Sequence, residues 1–277
     1  MSKRIWLFLL VAALLLSFSA CGKTPAEQAP PEVLVTDPIT LIDMESLVLR
    51  VLKIEPDNEA GYTVSIMVWN RSDIEFNFIF DDLTLNDLLY GEVFQFTVSG
   101  GEKELKRITL SPAKMEQLGL TKVTKIGFRF YGLQTDITFD AAYFDQTLSF
   151  YPLGEAAYKT YQRAVDTDVI LIDNEYCTLT YVESTTDMEE LLHTLYFVNK
   201  TDKPLTLIAK QGTINGTPYN AYKQLELKPG CKGYELLTYG SISSDGEGIQ
   251  SFAADVDIYY TEKYADGPVT TVSVSVP

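Results

Sequence analysis

Tyr62-Thr-Val-Ser-Ile-Met-Val-Trp-Asn70-Arg71-Ser72-Asp73 is an apolar run closed by a polar corner, and it returns as Leu191-Leu-His-Thr-Leu-Tyr-Phe-Val-Asn199-Lys200-Thr201-Asp202, 129 residues on. Holding that offset without a gap from Tyr62 to Gly101 gives eight identities in 40 positions: Asn70/Asn199, Asp73/Asp202, Ile79/Ile208, Thr84/Thr213, Asn86/Asn215, Tyr90/Tyr219, Gln95/Gln224 and Gly101/Gly230. Leu41-Ile42-Asp43 recurs as Leu171-Ile172-Asp173 at an offset of 130, and Pro152 matches Pro277 at 125. Small drifts of this kind are what loop insertions and deletions produce, so the chain reads as a tandem duplication.

Working outward, each copy is a series of short runs rich in Val, Ile, Phe, Tyr and Thr, broken by Asn, Asp and Gly. These are strand signals at sandwich spacing. In the first copy the strands fall near Leu47–Ile54, Tyr62–Trp69, Glu75–Phe80, Val93–Val98, Leu105–Leu110, Lys125–Tyr131 and Thr147–Tyr151. Ser111 and Pro112 make an N-cap and first-turn pair, which predicts one short helix over Ala113–Leu118. Asn70 and Asn199 each end one apolar run and precede another. An Asn there bonds its own backbone and tolerates left-handed geometry, so each marks a hairpin turn, with Gly101 and Gly230 at the next corner. Between the copies, Ala157, Tyr158, Tyr161, Ala164 and Val165 have helical spacing, predicting a short amphipathic linker helix.

At the other end of the chain, Lys3 and Arg4 precede an apolar run from Ile5 to Leu16, too short for a bilayer span of about 20 residues. Ser17-Phe-Ser-Ala-Cys21 follows, and Phe18-Ser19-Ala20-Cys21 resembles the lipobox of bacterial lipoprotein signals, with Phe18 where that family most often has Leu. The resemblance implies cleavage before Cys21, a diacylglycerol on its sulfur, and acylation of the new amino terminus. Gly22–Glu32, with Pro25, Pro30 and Pro31 among polar residues, reads as an extended, flexible tether.

Composition limits the function. The 277 residues carry a net charge of −16, and removing residues 1–20 takes two cations and no acid, leaving −18. Nucleic acid is excluded as a partner on this reading, since phosphate binding needs a basic stripe that so acidic a chain is not expected to build. Membrane attachment is left to the lipid. The acidic stretches lack the alternating oxygen ligands of a calcium loop. With Cys21 lipidated, Cys177 and Cys231 are too few for a disulfide framework, and the sequence leaves open whether they pair. Three Asn-X-Ser/Thr sequons, at Asn70, Asn199 and Asn215, are better explained by turn chemistry than by glycosylation beside a bacterial lipobox.

Candidate chemistry is sparse. The single histidine, His193, aligns with Val64 in the sister copy, a packing position first. Cys177 aligns with Leu47 and Cys231 with Glu102, so neither thiol belongs to the shared design. No phosphate loop, nucleophile elbow, zinc-protease helix or Cys-x-x-Cys pair occurs, and no catalytic residue, metal or cofactor is assigned. Tyrosine is in surplus, with 17 residues. Tyr219 with Tyr222, and Tyr259, Tyr260 and Tyr264, fall at strand ends and loops where rings can stack on sugars or fill a partner's pocket.

The expected architecture is therefore all-β: a lipoprotein signal (1–20), a lipid-anchored tether (21–37), a first β-sandwich repeat (38–153), a short helical linker (154–168) and a second β-sandwich repeat (169–277). In layout it resembles the cell-surface lipoproteins of Gram-positive bacteria that carry tandem immunoglobulin-like antiparallel sandwiches of unassigned function. That resemblance implies a palmitate-type anchor at Cys21 on the outer face of the cytoplasmic membrane; the anchor, the tether, the duplication and the lack of a catalytic constellation point to non-enzymatic binding of a protein or another envelope component. The alternative is glycan binding through the tyrosine clusters.

Overall fold

Alternation between core and solvent is what turns the apolar runs into strands. In β2 (Leu47–Glu55), Leu47, Leu49 and Val51 are buried in the core while Arg50 between them reaches solvent. That period of two is the geometry of a pleated strand. The computed structural model describes residues 34–56, 59–135, 142–163, 168–187, 190–219, 223–239 and 251–276. The predicted signal and most of the tether, Cys21 included, lie outside them. No helix among the described residues is long and apolar enough to cross a membrane.

In the first half the strands are β1 (Ile39–Asp43), β2, β3 (Tyr62–Asn70), β4 (Phe76–Leu85), β5 (Leu88–Leu89), β6 (Phe94–Val98), β7 (Lys103–Leu110), β8 (Ile126–Gln134) and β9 (Phe144–Phe150). A single-turn helix, α1 (Pro112–Gln117), follows β7, and its Ser111 cap accepts the Lys114 amide at 3.4 Å. The second half has β10 (Val169–Asp173), β11 (Cys177–Asp187), β12 (Glu190–Asn199), β13 (Leu205–Ile214), β14 (Thr217–Tyr219), β15 (Lys223–Leu227), β16 (Lys232–Tyr239), β17 (Phe252–Tyr260) and β18 (Thr270–Val276).

The protein is all-β, and one strand order occurs twice. β1-β2-β3-β7 form one antiparallel sheet; β4 pairs with β5, β6 and β8, and β8 with β9. β10-β11-β12-β16 repeat the first arrangement, and β13 with β14, β15, β17 and then β18 repeat the second. Even the irregularities recur. Bulges at Thr40/Ile42 and Val51/Lys53 have counterparts at Ile170/Ile172 and Tyr181/Glu183, 130 residues later in each case. The two sheets of each half share a core. In the first, Leu49, Val64, Ile66 and Ile108 meet Phe78, Phe80, Phe128 and Phe130, with Phe80 and Phe130 ring centres 4.5 Å apart. In the second, Cys177, Leu179 and Phe197 meet Leu205, Leu207 and Ile258.

Asn70 and Asn199 do not close hairpins. β3 and β4 belong to different sheets, as do β12 and β13, so each Asn sits where the chain crosses from one sheet to the other. Both are 1% exposed. Asn70 Nδ2 donates to the carbonyls of Ile74 (2.6 Å) and Val98 (3.0 Å), and its Oδ1 accepts the Ser72 hydroxyl (2.6 Å) and amide (3.2 Å). Asn199 repeats the set on Lys203, Leu227 and Thr201. One amide thus satisfies the buried backbone of two neighbouring connections, which is why a polar side chain is retained in the core. The hairpins lie instead at Asn86-Asp87 and Asn215-Gly216, where both central residues have positive φ, as a type I′ turn requires.

The linker is not the helix that its spacing suggested. It makes one 3₁₀ turn, Glu155–Ala157, turns extended at Tyr158 and carries neither helix nor strand from there to Arg163. The reason is the partners waiting for it. The Tyr158 hydroxyl donates to Asp87, and the Tyr161 amide bonds the Asn86 carbonyl at 2.7 Å, so successive tyrosines are drawn along the first repeat's β4–β5 hairpin. Ala164 and Val165 lie outside the described residues. Residues 34–277 form one compact unit in which the two repeats touch.

Candidate binding face

The outer face of β1-β2-β3-β7 gathers side chains far apart in sequence. Cross-strand pairing sets Asp43, Val48, Trp69 and Lys103 in one row, Thr40, Arg50, Met67 and Leu105 in the next, and Lys53, Ser65 and Arg107 beyond. Trp69 is clamped between two cations, with Arg71 Cζ 4.3 Å and Lys103 Nζ 3.9 Å from the ring centre. Leu105 is 62% exposed. Arg50 and Arg71 pair with Asp43, and Lys53 and Arg107 with Glu55. The hydrogen bond from Lys53 holds the Glu55 carboxyl below its ordinary pKa. Five cations against two acids surround an apolar centre, on a chain whose net charge is −16. The expectation that so acidic a chain builds no basic stripe is corrected here: strand pairing collects locally what the total hides.

The same face in the second repeat is covered. Thr180, Tyr196 and Tyr234 stand where Arg50, Met67 and Leu105 stand in the first. Tyr196, Val182, Val198 and Tyr234 pack against the first repeat's core together with Tyr161 of the linker. The hydroxyls of Tyr161 and Tyr234 lie 2.6 Å apart, and Arg163 donates to Tyr234 (2.9 Å) while forking onto Asp168 (2.6 and 2.7 Å). Lys232 Nζ donates to the Thr160 hydroxyl and the Tyr161 carbonyl, each at 2.6 Å. A parallel bridge between Lys232 and Leu88 carries β5 onto the β16 edge, and Lys228 pairs with Asp82. Lys125 and Tyr158 converge on Asp87; burial raises its pKa, but these bonds outweigh burial and hold the carboxyl below its ordinary value.

The tyrosines singled out from sequence do not form one platform. Tyr259 and Tyr260 are consecutive in β17 and so point to opposite faces. Tyr259 is buried, donates to Asp257 at 3.1 Å and lies under Tyr264 with ring centres 4.6 Å apart. Tyr260 is half-buried, edge-on to Tyr176 at 6.1 Å and below Lys203. Tyr264 is 49% exposed. Tyr219 ends β14, opposite Gly212. The side chain of Tyr219, all of Tyr222, and Cys21 lie outside the described residues.

His193 is 3% exposed between the rings of Tyr181 (5.5 Å) and Phe252 (5.8 Å), and burial lowers its pKa to about 4. Cys177 and Cys231 are both unbridged. They flank Asn199 on β11 and at the start of β16, with β12 between them; two strand spacings, about 9.6 Å, exceed disulfide reach. Burial pushes the Cys177 thiol up to about 11 and also raises Cys231, the opposite of an activated nucleophile. Among the described residues no group of three His, Cys, Asp or Glu is placed to hold a metal.

Trp69, Met67 and Leu105 were missed by sequence reasoning. The signal that marks them is the alternation 103, 105, 107 against 65, 67, 69, which acquires meaning only once the β3–β7 register is known.

No family model matches the chain, and no curated protein does. Among solved structures, it is similar to a transglutaminase of red sea bream at 11% identity and a TM-score of 0.26, covering 84% of this chain and 31% of that one. A β-D-mannosidase from Dictyoglomus thermophilum aligns at 12% identity and a TM-score of 0.23, over 75% of this chain and 28% of that one. The chain thus spans about a third of the length of these structures.

Proposed function

We propose that the protein is a lipid-anchored, extracytoplasmic binding module of the bacterial envelope, with two immunoglobulin-like repeats and no enzymatic role. Its partner docks on the outer face of β1-β2-β3-β7. The observation that carries this reading is the contrast between two equivalent faces: one is sealed under the linker, while the other keeps Leu105 exposed beside a half-buried Trp69 that Arg71 and Lys103 flank. An apolar centre with a charged rim is the anatomy of a protein-binding patch, and it suits a partner whose apolar contact is bordered by carboxylates. The buried His193 and the raised thiol pKa values support a binding role over catalysis.

The test is capture from envelope extract by the full chain. Wild type retains a specific protein, and the Trp69→Ala, Leu105→Ser double variant loses it with its fold intact. Equal capture by both removes the face from the proposal. Anchoring is checked separately by palmitate incorporation, which Cys21→Ala abolishes. Glycan binding keeps one supporting observation, the exposed Tyr264 ring packed at a tilt on Tyr259, and a glycan-array signal lost in Tyr264→Ala would favour it.

A further inference from the structure

The rows of the outer face end on β7, the last strand of its sheet. Its far side pairs with no other strand among the described residues. In the second repeat the corresponding strand is β16, and there the far side is taken: β5, from outside that repeat, bridges it in parallel through Leu88 and Lys232. The same edge thus accepts a neighbour's strand in one copy and stands open in the other.

Open edges are commonly guarded by charge. On β7 the charge brackets an apolar residue: Lys103, Leu105 and Arg107 alternate along the outer face, and all three are exposed. Lys103 holds its ammonium over the Trp69 ring and meets no carboxylate among the described residues. A strand added beside β7 sets its own outward residues directly across from these three. Opposite charges and apolar neighbours stabilise such cross-strand pairs, and like charges oppose them. The row Trp69, Lys103 therefore continues best with a carboxylate, the row Met67, Leu105 with an apolar side chain, and the row Ser65, Arg107 with a second carboxylate. On the other side of β7, Glu104 and Lys106 satisfy each other at 3.3 Å, so the intervening residues of the added strand face no uncompensated charge.

We infer that the open edge of β7 receives an extended segment of the partner whose first, third and fifth residues are acidic, apolar and acidic. This rests on the outer-face reading and sharpens it. Main-chain hydrogen bonds to β7 supply affinity, while Lys103, Leu105 and Arg107 select the side chains and turn a basic strand away.

The experiment titrates the full chain with a capped peptide, Thr-Glu-Thr-Leu-Thr-Glu-Thr, with a counterpart carrying lysine at both acidic places, and with the acidic peptide N-methylated throughout. The acidic peptide binds one per chain, about tenfold or more tighter than the basic one at low salt, and the advantage shrinks as salt rises. N-methylation removes the backbone donors, keeps every side chain and abolishes binding. Amide exchange in β7 slows with the acidic peptide bound, while exchange in β1, at the opposite edge, is unchanged. The Lys103→Glu, Arg107→Glu double variant reverses the preference between the two charged peptides; near-UV circular dichroism and the urea midpoint verify its fold. The inference is overturned if wild type binds neither charged peptide or both alike, if the N-methylated peptide binds as well as its parent, or if β7 exchange does not respond. Should envelope capture still depend on Trp69 and Leu105 after any of those results, the outer face stands as the docking surface and strand addition is removed from it.

Discussion

Leu105 and Tyr234 hold the same place in two copies of one strand, and they face different worlds. Leu105 lies at the surface beside the cation-clamped Trp69; Tyr234 shares hydrogen bonds with Tyr161 and Arg163 under the linker. Their neighbours differ in step. Arg50, Lys53 and Trp69 of the open face become Thr180, Glu183 and Val198 in the covered one, while Lys103 is kept as Lys232, whose ammonium is satisfied by the Thr160 hydroxyl and the Tyr161 carbonyl of the linker. Glu104 becomes Gly233, where an added Cβ would come within 2.9 Å of the Phe197 ring and 3.2 Å of Leu89. A face with the open composition cannot seal a repeat junction, and a face with the covered composition has no reason to stay wet. On the function proposed above, the first repeat's face remains in water until a partner arrives.

The sharpest way to break the contrast is to move its residues across. Gly233→Glu installs the first repeat's Glu104, which lies on the side of β7 away from Leu105, at a buried position of β16, where it overpacks Phe197 and Leu89 and buries a charge. We expect a loss of about 4 kcal/mol in urea unfolding. The reciprocal Glu104→Gly removes a side chain that pairs with Lys106 at the surface and costs under about 1 kcal/mol. Similar losses from the two substitutions would mean that the repeats are equally exposed in solution.

What the copies share should break equally in both. Asn70→Ala and Asn199→Ala each remove the bonds to a buried carbonyl of the neighbouring connection (Val98 or Leu227) and to the Ser72 or Thr201 amide, while the Ile74 and Lys203 carbonyls keep the Ser72 and Thr201 hydroxyls, and each should cost about 3 kcal/mol by the same urea measurement. A loss below about 1 kcal/mol at either site would show that water satisfies the corner once the amide is gone.

Those corners also mark what could be read from sequence. The 129-residue offset is visible at Asn70 and Gly101 because each needs one residue type, Asn for its paired donors and acceptor, Gly for φ near +78°. Where the next strand goes was not visible. Asn70 reads locally as a hairpin, but its side chain answers to the Val98 carbonyl, 28 residues away. The linker failed for the same reason: Tyr158 and Tyr161 have helical spacing, yet Asp87 and Asn86 of the first repeat decide the backbone. The basic face was hidden because charge summed along a chain ignores the register that sets Arg50, Met67 and Leu105 side by side.

Acid separates the copies through one residue. His193 occupies the position of Val64 and has its folded pKa lowered to about 4 from 6.5. The unfolded chain therefore binds the extra proton first, so the stability from the neutral imidazole is complete above pH 6.5 and is lost as pH falls toward 4. At about 1.4 kcal/mol per pH unit, the loss approaches 3 kcal/mol at pH 4. Amide exchange in β12 should accelerate over that window while exchange in β3 does not, and His193→Val should abolish the difference. An unchanged pH profile in that variant would assign the acid sensitivity to carboxylates instead.

The smallest effect on stability is also the most informative about function. Leu105→Ser at an exposed position should change unfolding free energy by no more than about 0.5 kcal/mol, whereas Tyr234→Ser at the equivalent place loses a partly buried ring and the Tyr161 and Arg163 bonds and should cost about 2 to 3 kcal/mol. If the open face is a docking surface, the ranking inverts when capture is measured: Leu105→Ser weakens binding while Tyr234→Ser, in the folded fraction, leaves it intact. A residue that costs nothing in the free protein and much in the complex is one whose apolar surface is completed by a partner. Should Leu105→Ser be silent in both measurements, the exposed leucine is ordinary surface, and the contrast between the faces records only how the repeats pack on each other.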